Sequence, residues 1–171
     1  MPIQKKRRNY ETFHLACRLG RSILMAGTCM ANRRVNSISK DGVKPLPKRK
    51  RPTKRLQSAL KTAWAPETSF DPAGWSPSNP AWGQCAVTAL IVQDHCGGAL
   101  VCGEVNGIPH YWNRLPTDED LDLTLSQFGE AARHARARLC DREFVLSYPE
   151  TVRRYHQLQD RVTSHLSVRS R

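Results

Sequence analysis

Three side chains, Cys85, His110 and Asp122, have the types and the order that nucleophilic chemistry requires. A cysteine attacks as its thiolate, and the free N–H groups at a helix N-terminus lower the pKa of a thiol. Among the six cysteines of the sequence, Cys85 alone begins a predicted buried helix and directly follows a Gly-Gln pair. A thiol nucleophile also needs a base, and the base needs a group that orients it. The residue types therefore suggest a cysteine-dependent reaction at Cys85.

The candidate base and its orienting group are expected on neighbouring extended segments. His110 lies in a predicted strand and Asp122 in the next extended piece of chain. Neighbouring antiparallel strands lie about 4.8 Å apart, so an aspartate on one can reach a histidine ring on the other. Asn113 is a rival to Asp122 as the group that orients the histidine. The Gln84 side chain and the backbone N–H of Cys85 are candidate donors to an oxyanion.

Each of these residues also has a purely structural interpretation. Cys85 could be a core cysteine at a helix start, His110 a hydrogen-bonded structural histidine, and Asp122 the cap of a following helix. A zinc site would draw on nearby cysteines and histidines, namely Cys85, His95, Cys96, Cys102 and His110. Their spacing matches no usual zinc pattern, so no metal and no cofactor is predicted.

Hydrophobic spacing and turn residues predict the elements that must position these side chains. They are a helix over about 54–64, a proline-rich loop over 65–82, a buried helix over about 84–95, strands over 99–105 and 108–115, a short extended segment over 121–124, and helices over about 125–140 and 149–166. Asn106-Gly107, between the two strands, is a strong hairpin signal. The pattern predicts an α+β fold, with a small antiparallel sheet packed on the Cys85 helix and C-terminal helices completing the core.

The two C-terminal helices are each expected to turn arginines outward. Those of the first are Arg133, Arg136 and Arg138, and those of the second are Arg153, Arg154 and Arg161. Such rows of like charge usually form a solvated helix face.

The net charge of +12 is concentrated at the beginning of the chain. Residues 1–55 hold sixteen Lys and Arg against Glu11 and Asp41, whereas the remainder holds eleven basic and thirteen acidic side chains. We therefore predict a basic, disordered leader over residues 1–54 and a single domain over residues 55–171. The leader could contact nucleic acid through phosphates, or translation could begin later, at Met25, Met30 or beyond. No stretch suits a membrane span, and the cysteine pattern favours a cytoplasmic location.

The order of a helix cysteine, a His-x-Trp-Asn strand and an Asp-x-Thr segment resembles the core of the transglutaminase-like and papain-like superfamily. More narrowly, the chain from about Leu56 to Phe128 resembles the YunG family of bacterial proteins, whose function is largely uncharacterised. The matching residues are Ala63-Trp64, Glu67-Thr68-Ser69, Asn79-Pro80, Gly83-Gln84-Cys85-Ala86-Val87-Thr88-Ala89-Leu90, His110-Tyr111-Trp112-Asn113-Arg114-Leu115, Asp122-Leu123-Thr124 and Gln127-Phe128. The resemblance covers less than half of the chain.

The superfamily resemblance implies that Cys85 is the nucleophile, His110 the base and Asp122 the orienting carboxylate. The expected activity is amide hydrolysis or acyl transfer on an unidentified peptide, protein or small amide. The span between Cys85 and His110 is compact and leaves little room for extra strands around a cleft. The alternative is therefore a non-catalytic binding or interaction domain on the same scaffold. A third possibility is that the basic leader is the working part and anchors the domain to nucleic acid.

Overall fold

The computed structural model describes residues 51–167. Within this range, two helices precede the four strands of a sheet in sequence order and two helices follow them. The described helices are α1 (Lys54–Ala63), α2 (Cys85–Cys96), α3 (Arg142–Leu146) and α4 (Pro149–Ser167), and the strands are β1 (Ala99–Val105), β2 (Ile108–Arg114), β3 (Asp120–Leu121) and β4 (His134–Cys140). Two short 3-10 turns cover Pro66–Thr68 and Leu125–Phe128. Apart from its last four residues, the predicted leader over 1–54 lies outside the described residues.

The sheet is antiparallel throughout and has the strand order β3-β2-β1-β4. Strands β1 and β2 form the predicted hairpin through Asn106 and Gly107, which have φ angles of 52° and 75°. Two successive residues with positive φ match the right-handed twist of a tight hairpin. The register pairs Gly103 with His110 across the hairpin. The predicted hairpin is therefore present, and it fixes the height of His110 in the sheet.

Helix α2 forms the centre of the molecule. Its side chains from Ala86 to Val92 are all buried, and the helix packs on β2 on one side and on α4 on another. Helix α1 begins at the Thr53 cap, whose hydroxyl accepts a hydrogen bond from the Leu56 N–H at 3.2 Å, and it also packs on α4. The expected α+β arrangement, with a small antiparallel sheet and C-terminal helices, is present. None of the helices described in residues 51–167 is long and apolar enough to cross a membrane.

The predicted helix over about 125–140 is wrong. That stretch begins as the 3-10 turn Leu125–Phe128, which ends at Gly129 with a φ angle of 84°, and continues as the edge strand β4. Its Ala-Arg composition favours a helix, but pairing with the open edge of β1 overrides local propensity. The backbone also bulges where β4 passes Gly103, between the pairs made by Cys102 and Glu104.

The arginines of this stretch are exposed, as expected, but they do not lie on a helix. Arg136 has a φ angle of 54° and makes an ion pair with Glu104 at 3.1 Å. Strand β3 is shorter than expected, because it covers Asp120–Leu121 where an extended segment over 121–124 was predicted.

Leu158 on α4 tests how far the helical layer supports the fold. It is 0% exposed, whereas Leu139 on β4 is 64% exposed. Because truncation of a buried leucine removes apolar contacts and leaves a cavity, Leu158→Ala should lower the free energy of unfolding by about 2–5 kcal/mol. Leu139→Ala, the matched control, should change it by less than about 0.5 kcal/mol. Urea denaturation followed by circular dichroism measures both, and equal effects would contradict the assigned core.

Candidate active site

Cys85 is the first residue of α2 and is partly exposed. The turn before it is held by Gly83, which has a φ angle of 71° and whose N–H donates to the Gln127 side-chain oxygen at 3.1 Å. A Cβ at Gly83 would lie 2.4 Å from the Ser69 hydroxyl oxygen, so the chain approaches the Ser69 loop too closely for any side chain. These contacts fix the helix start, and they place the thiol where the free backbone N–H groups of the first turn favour a negative charge.

His110 lies on β2 and its side chain is 0% exposed. Its Nε2 atom is 2.7 Å from Oδ2 of Asp122. Its Nδ1 atom is buried and makes no ordinary hydrogen bond within the described residues. The Cys85 thiol lies near enough to the ring to raise the pKa of His110. Phe128 packs edge-on against the imidazole, with 5.1 Å between the ring centroids. The ring is therefore positioned by the Asp122 carboxylate and the Phe128 ring.

Asp122 follows β3 and uses both carboxylate oxygens. Oδ1 accepts hydrogen bonds from the backbone N–H of Thr124 at 2.9 Å and from its hydroxyl at 3.0 Å. Oδ2 lies within hydrogen-bond distance of His110 and of His134, the latter at 2.8 Å. Asp122 therefore closes an Asx turn with Thr124 while it contacts His110. It does not cap a helix, because the 3-10 turn that follows has Thr124 at its N-cap and no side-chain cap hydrogen bond.

The charges in this cluster depend on one another. Burial by itself raises the pKa of the Cys85 thiol, but the hydrogen bond and positive charge of His110 and the Tyr111 backbone outweigh it, and the pKa is lowered. Burial by itself lowers the pKa of His110, but hydrogen bonds with Asp122 and Cys85 raise it to about 9. Burial alone raises the pKa of Asp122, whereas His110 and His134 bring it below its usual value. The shifts of Cys85 and His110 have opposite directions, and both favour a thiolate beside an imidazolium over the neutral pair.

His134 is a member of the cluster that the sequence did not reveal, because it falls within the stretch predicted to be a helix. It begins β4 and stacks on Trp112, with 4.2 Å between the ring centroids and 21° between the planes. Strand β1 lies between β2 and β4, and it has Gly103 at the position next to these rings. A Cβ at Gly103 would lie 2.8 Å from the Trp112 ring. The glycine is therefore required for the close packing of aromatic rings above the strand.

His110, Asp122 and His134 are the described residues that could hold a metal ion, since their ligand atoms all lie within 4.8 Å of one another. Two imidazoles and a carboxylate are suitable ligands for several divalent metals. The ligand atoms already face each other through hydrogen bonds, however, and the raised pKa of His110 favours its protonated form, which does not bind metal. The zinc ligands considered from sequence form no such group within residues 51–167.

Gln84 and Asn113 point to structural partners. The Gln84 side chain is buried and its amide nitrogen donates to the Ala65 carbonyl at 2.9 Å, while its side-chain oxygen is buried without a hydrogen-bond partner. Asn113 donates to the Ala89 carbonyl of α2 at 2.9 Å. Asn113 therefore ties the sheet to the helix. It does not orient His110, because the group that faces Nε2 of His110 is the Asp122 carboxylate.

Arg154 on α4 was predicted to face outward, and this prediction is wrong: the residue is only 5% exposed. Its guanidinium carbon lies 5.6 Å from the centroid of the Phe70 ring. Phe70 in turn donates its N–H to the carbonyl of Gly83, two residues before the nucleophile candidate. The sequence offered no signal for this position, since Arg153 and Arg154 are adjacent and indistinguishable by type.

We expect Cys85 to react with iodoacetamide far below the pH at which an ordinary thiol does. Cys140 is the matched control, because it is also a partly exposed free cysteine and does not begin a helix. At about pH 6, Cys85 should be alkylated at least about tenfold faster than Cys140, since a larger fraction is thiolate. His110→Ala should abolish the advantage. Mass spectrometry of the labelled peptides measures both rates, and equal rates would contradict the lowered pKa of Cys85.

The imidazole of His110 should titrate near pH 9 in an NMR experiment, because its folded-state pKa is raised to about 9. Its unfolded-state pKa is close to 6.5. The protonated ring therefore contributes stability that is complete below about pH 6.5 and is lost as the pH rises through about 9. Asp122→Asn should lower the pKa of His110, because it removes the carboxylate charge. A titration midpoint that Asp122→Asn leaves unchanged would contradict the role of the carboxylate.

Comparison with known proteins places these residues in a family. The profile of the family described as YunG protein matches residues 52–167, which is more than half of the chain. The uncharacterized protein YunG of Bacillus subtilis (strain 168) is 29% identical over 108 residues, which cover 63% of this chain and 89% of that protein. No solved structure matches the chain significantly. The matched region contains every residue of the cluster around Cys85, and the chain belongs to the YunG protein family.

Proposed function

We propose that the protein is a cysteine-dependent amide hydrolase or acyl transferase with Cys85 as nucleophile, His110 as general base and acid, and Asp122 as the orienting carboxylate. The observation that carries the proposal is the continuous connection from carboxylate to imidazole to thiol. Oδ2 of Asp122 lies 2.7 Å from Nε2 of His110, and the same ring lowers the pKa of the Cys85 thiol through a hydrogen bond and its positive charge. A thiol, an oriented base and a helix N-terminus together are the parts that nucleophilic catalysis at cysteine requires.

In the first half of the reaction, the Cys85 thiolate attacks the carbonyl carbon of an amide and a carbon–sulfur bond forms. The backbone N–H groups of the first turn of α2 can donate to the oxyanion that develops. The carbon–nitrogen bond then breaks, and the imidazolium of His110 gives its proton to the departing amine. The product of this half is a thioester on Cys85 and a neutral imidazole.

In the second half, water or a second amine attacks the thioester and His110 accepts its proton. The carbon–sulfur bond breaks, the acyl group leaves as an acid or a new amide, and the thiolate–imidazolium pair is restored. Asp122 keeps the ring in the tautomer and orientation that both halves need, as a carboxylate does in other nucleophile–base–acid triads.

The arrangement also supports a papain-like or transglutaminase-like core. The nucleophile begins a buried helix, the histidine lies on a strand that packs on that helix, and the aspartate follows the next strand. The order of elements and of residues agrees with the sequence resemblance to that superfamily. Strand β3 has only two residues, so any substrate cleft on this side is bounded mainly by loops.

A p-nitrophenyl ester tests the proposal without knowledge of the natural substrate. The wild-type protein should release a burst of p-nitrophenol equal to the amount of protein, while intact-mass analysis detects one acyl group on Cys85. Cys85→Ser and His110→Ala should reduce the acylation rate at least about a hundredfold, because nucleophile or base is lost.

Cys140→Ser is the control for this experiment and should retain the full burst. Acylation at other cysteines, or a burst that survives Cys85→Ser, would overturn the proposal. The domain would then be a binding or interaction module that keeps the scaffold without turnover.

A further inference from the structure

The buried polar side-chain atoms without a hydrogen-bond partner are not scattered through the described part of the chain. They are Oε1 of Gln84, Nδ1 of His110 and Nη1 of Arg154. Gln84 precedes Cys85, and His110 interacts with the thiol of Cys85. Arg154 packs over the ring of Phe70, whose N–H donates to the carbonyl of Gly83, two residues before Cys85. Buried polar groups usually have partners, so an atom without one can mark a place that a ligand completes. Oε1 of Gln84 is an acceptor, whereas Nη1 of Arg154 is a charged donor, so Arg154 is the member of this group that an anion would complete.

Arg154 is an unusual member of this group because it carries a full positive charge. Its Nε donates to the Glu150 carbonyl at 3.2 Å and its Nη2 to the Thr151 hydroxyl at 3.1 Å, which leaves Nη1 unused. None of the ion pairs among residues 51–167 includes it. Burial lowers the pKa of Arg154, and the negative charge of Cys85 acts in the opposite direction. Burial of a cation without a paired anion is costly, so the site needs a negative charge.

The charge of Cys85 is already shared with the ring of His110, so it is not a dedicated partner for the guanidinium. Once Cys85 has attacked a carbonyl carbon, its sulfur belongs to a neutral thioester and no longer attracts the guanidinium, while His110 is left as a neutral imidazole. A substrate with its own carboxylate would bring an anion to Nη1, which a neutral substrate cannot do. Nη1 is closed to bulk water, so an ion pair formed there is screened less than one on the surface.

We propose that Arg154 binds a carboxylate of the substrate beside Cys85, and that the protein therefore acts on amides that carry a negative charge next to the bond that is cleaved. This inference rests on the proposed function, which supplies the reacting thiol. It assigns to Arg154 the role of a specificity-determining residue.

Iodoacetate and iodoacetamide form a matched pair of probes, since the first carries a carboxylate and the second a neutral amide on the same reactive carbon. The rate of Cys85 alkylation by each reagent is measured by mass spectrometry, and their ratio is compared with that of glutathione under the same conditions. The ratio cancels the fraction of thiolate. In the wild type it should exceed the glutathione ratio, and Arg154→Gln should lower it roughly tenfold or more, because a charge-assisted contact is lost.

Arg153→Gln is the control for long-range charge, because it removes the same charge from an exposed neighbour. It should leave the ratio unchanged, and Arg154→Lys should retain part of the preference. A ratio that Arg154→Gln leaves within twofold of the wild type would overturn the inference, and Arg154 would then act on the thiolate alone. That outcome leaves the proposed function intact. If Cys85 is alkylated by both reagents no faster than glutathione is, the result would instead contradict the proposed function.

A second measurement uses the wild type alone and decides the matter if Arg154→Gln fails to fold. Succinate at low millimolar concentration should slow the alkylation of Cys85 by iodoacetamide, whereas succinamide, the neutral analogue, should not. Equal effects of the two compounds would overturn the inference. Cys140 in the same sample is the internal reference, since its alkylation should respond to neither compound.

Discussion

The carboxylate of Asp122 is the point at which the separate parts of the site are joined. It receives hydrogen bonds from the backbone and hydroxyl of Thr124 and faces the rings of His110 and His134. These partners come from β2, from β4 and from the turn after β3, so one buried charge ties three parts of the sheet together. A buried carboxylate is tolerated only when its oxygens are satisfied, and here all of its contacts also determine the position of the base.

Around this carboxylate, glycines allow backbone segments to approach where any side chain would collide. Gly83 brings the chain close to Ser69 just before the nucleophile candidate, and Gly103 admits the Trp112 ring above β1. The helix that begins with Cys85 is then fastened to the sheet by the Asn113 amide, which donates to the Ala89 carbonyl. The geometry of the cluster is therefore set by close backbone contacts and one amide, in addition to the charges.

Local sequence signals were sufficient where one element determines its own form. The Asn106-Gly107 turn requires positive φ angles, and the apolar run after Cys85 can only be buried, so both the hairpin and α2 were predictable. The order of the motifs also predicted that an aspartate on a neighbouring segment would reach the histidine ring, and Asp122 lies 2.7 Å from His110. The predictions were wrong where long-range pairing decides the outcome. Strand β4 exists because β1 offers an open edge, and this pairing brings His134 to Asp122. Nothing local distinguishes the buried Arg154 from its exposed neighbour Arg153.

The two edges of the sheet differ in length but share a property. Strand β3 has only two residues, and β4 carries exposed arginines on a backbone that bulges beside Gly103. An extended peptide joins a sheet by continuing its ladder of backbone hydrogen bonds, which requires a long and regular edge. Neither edge provides one, so strand addition is disfavoured both for a peptide ligand and for a second copy of the chain, and the same feature protects the folded protein from edge-to-edge aggregation.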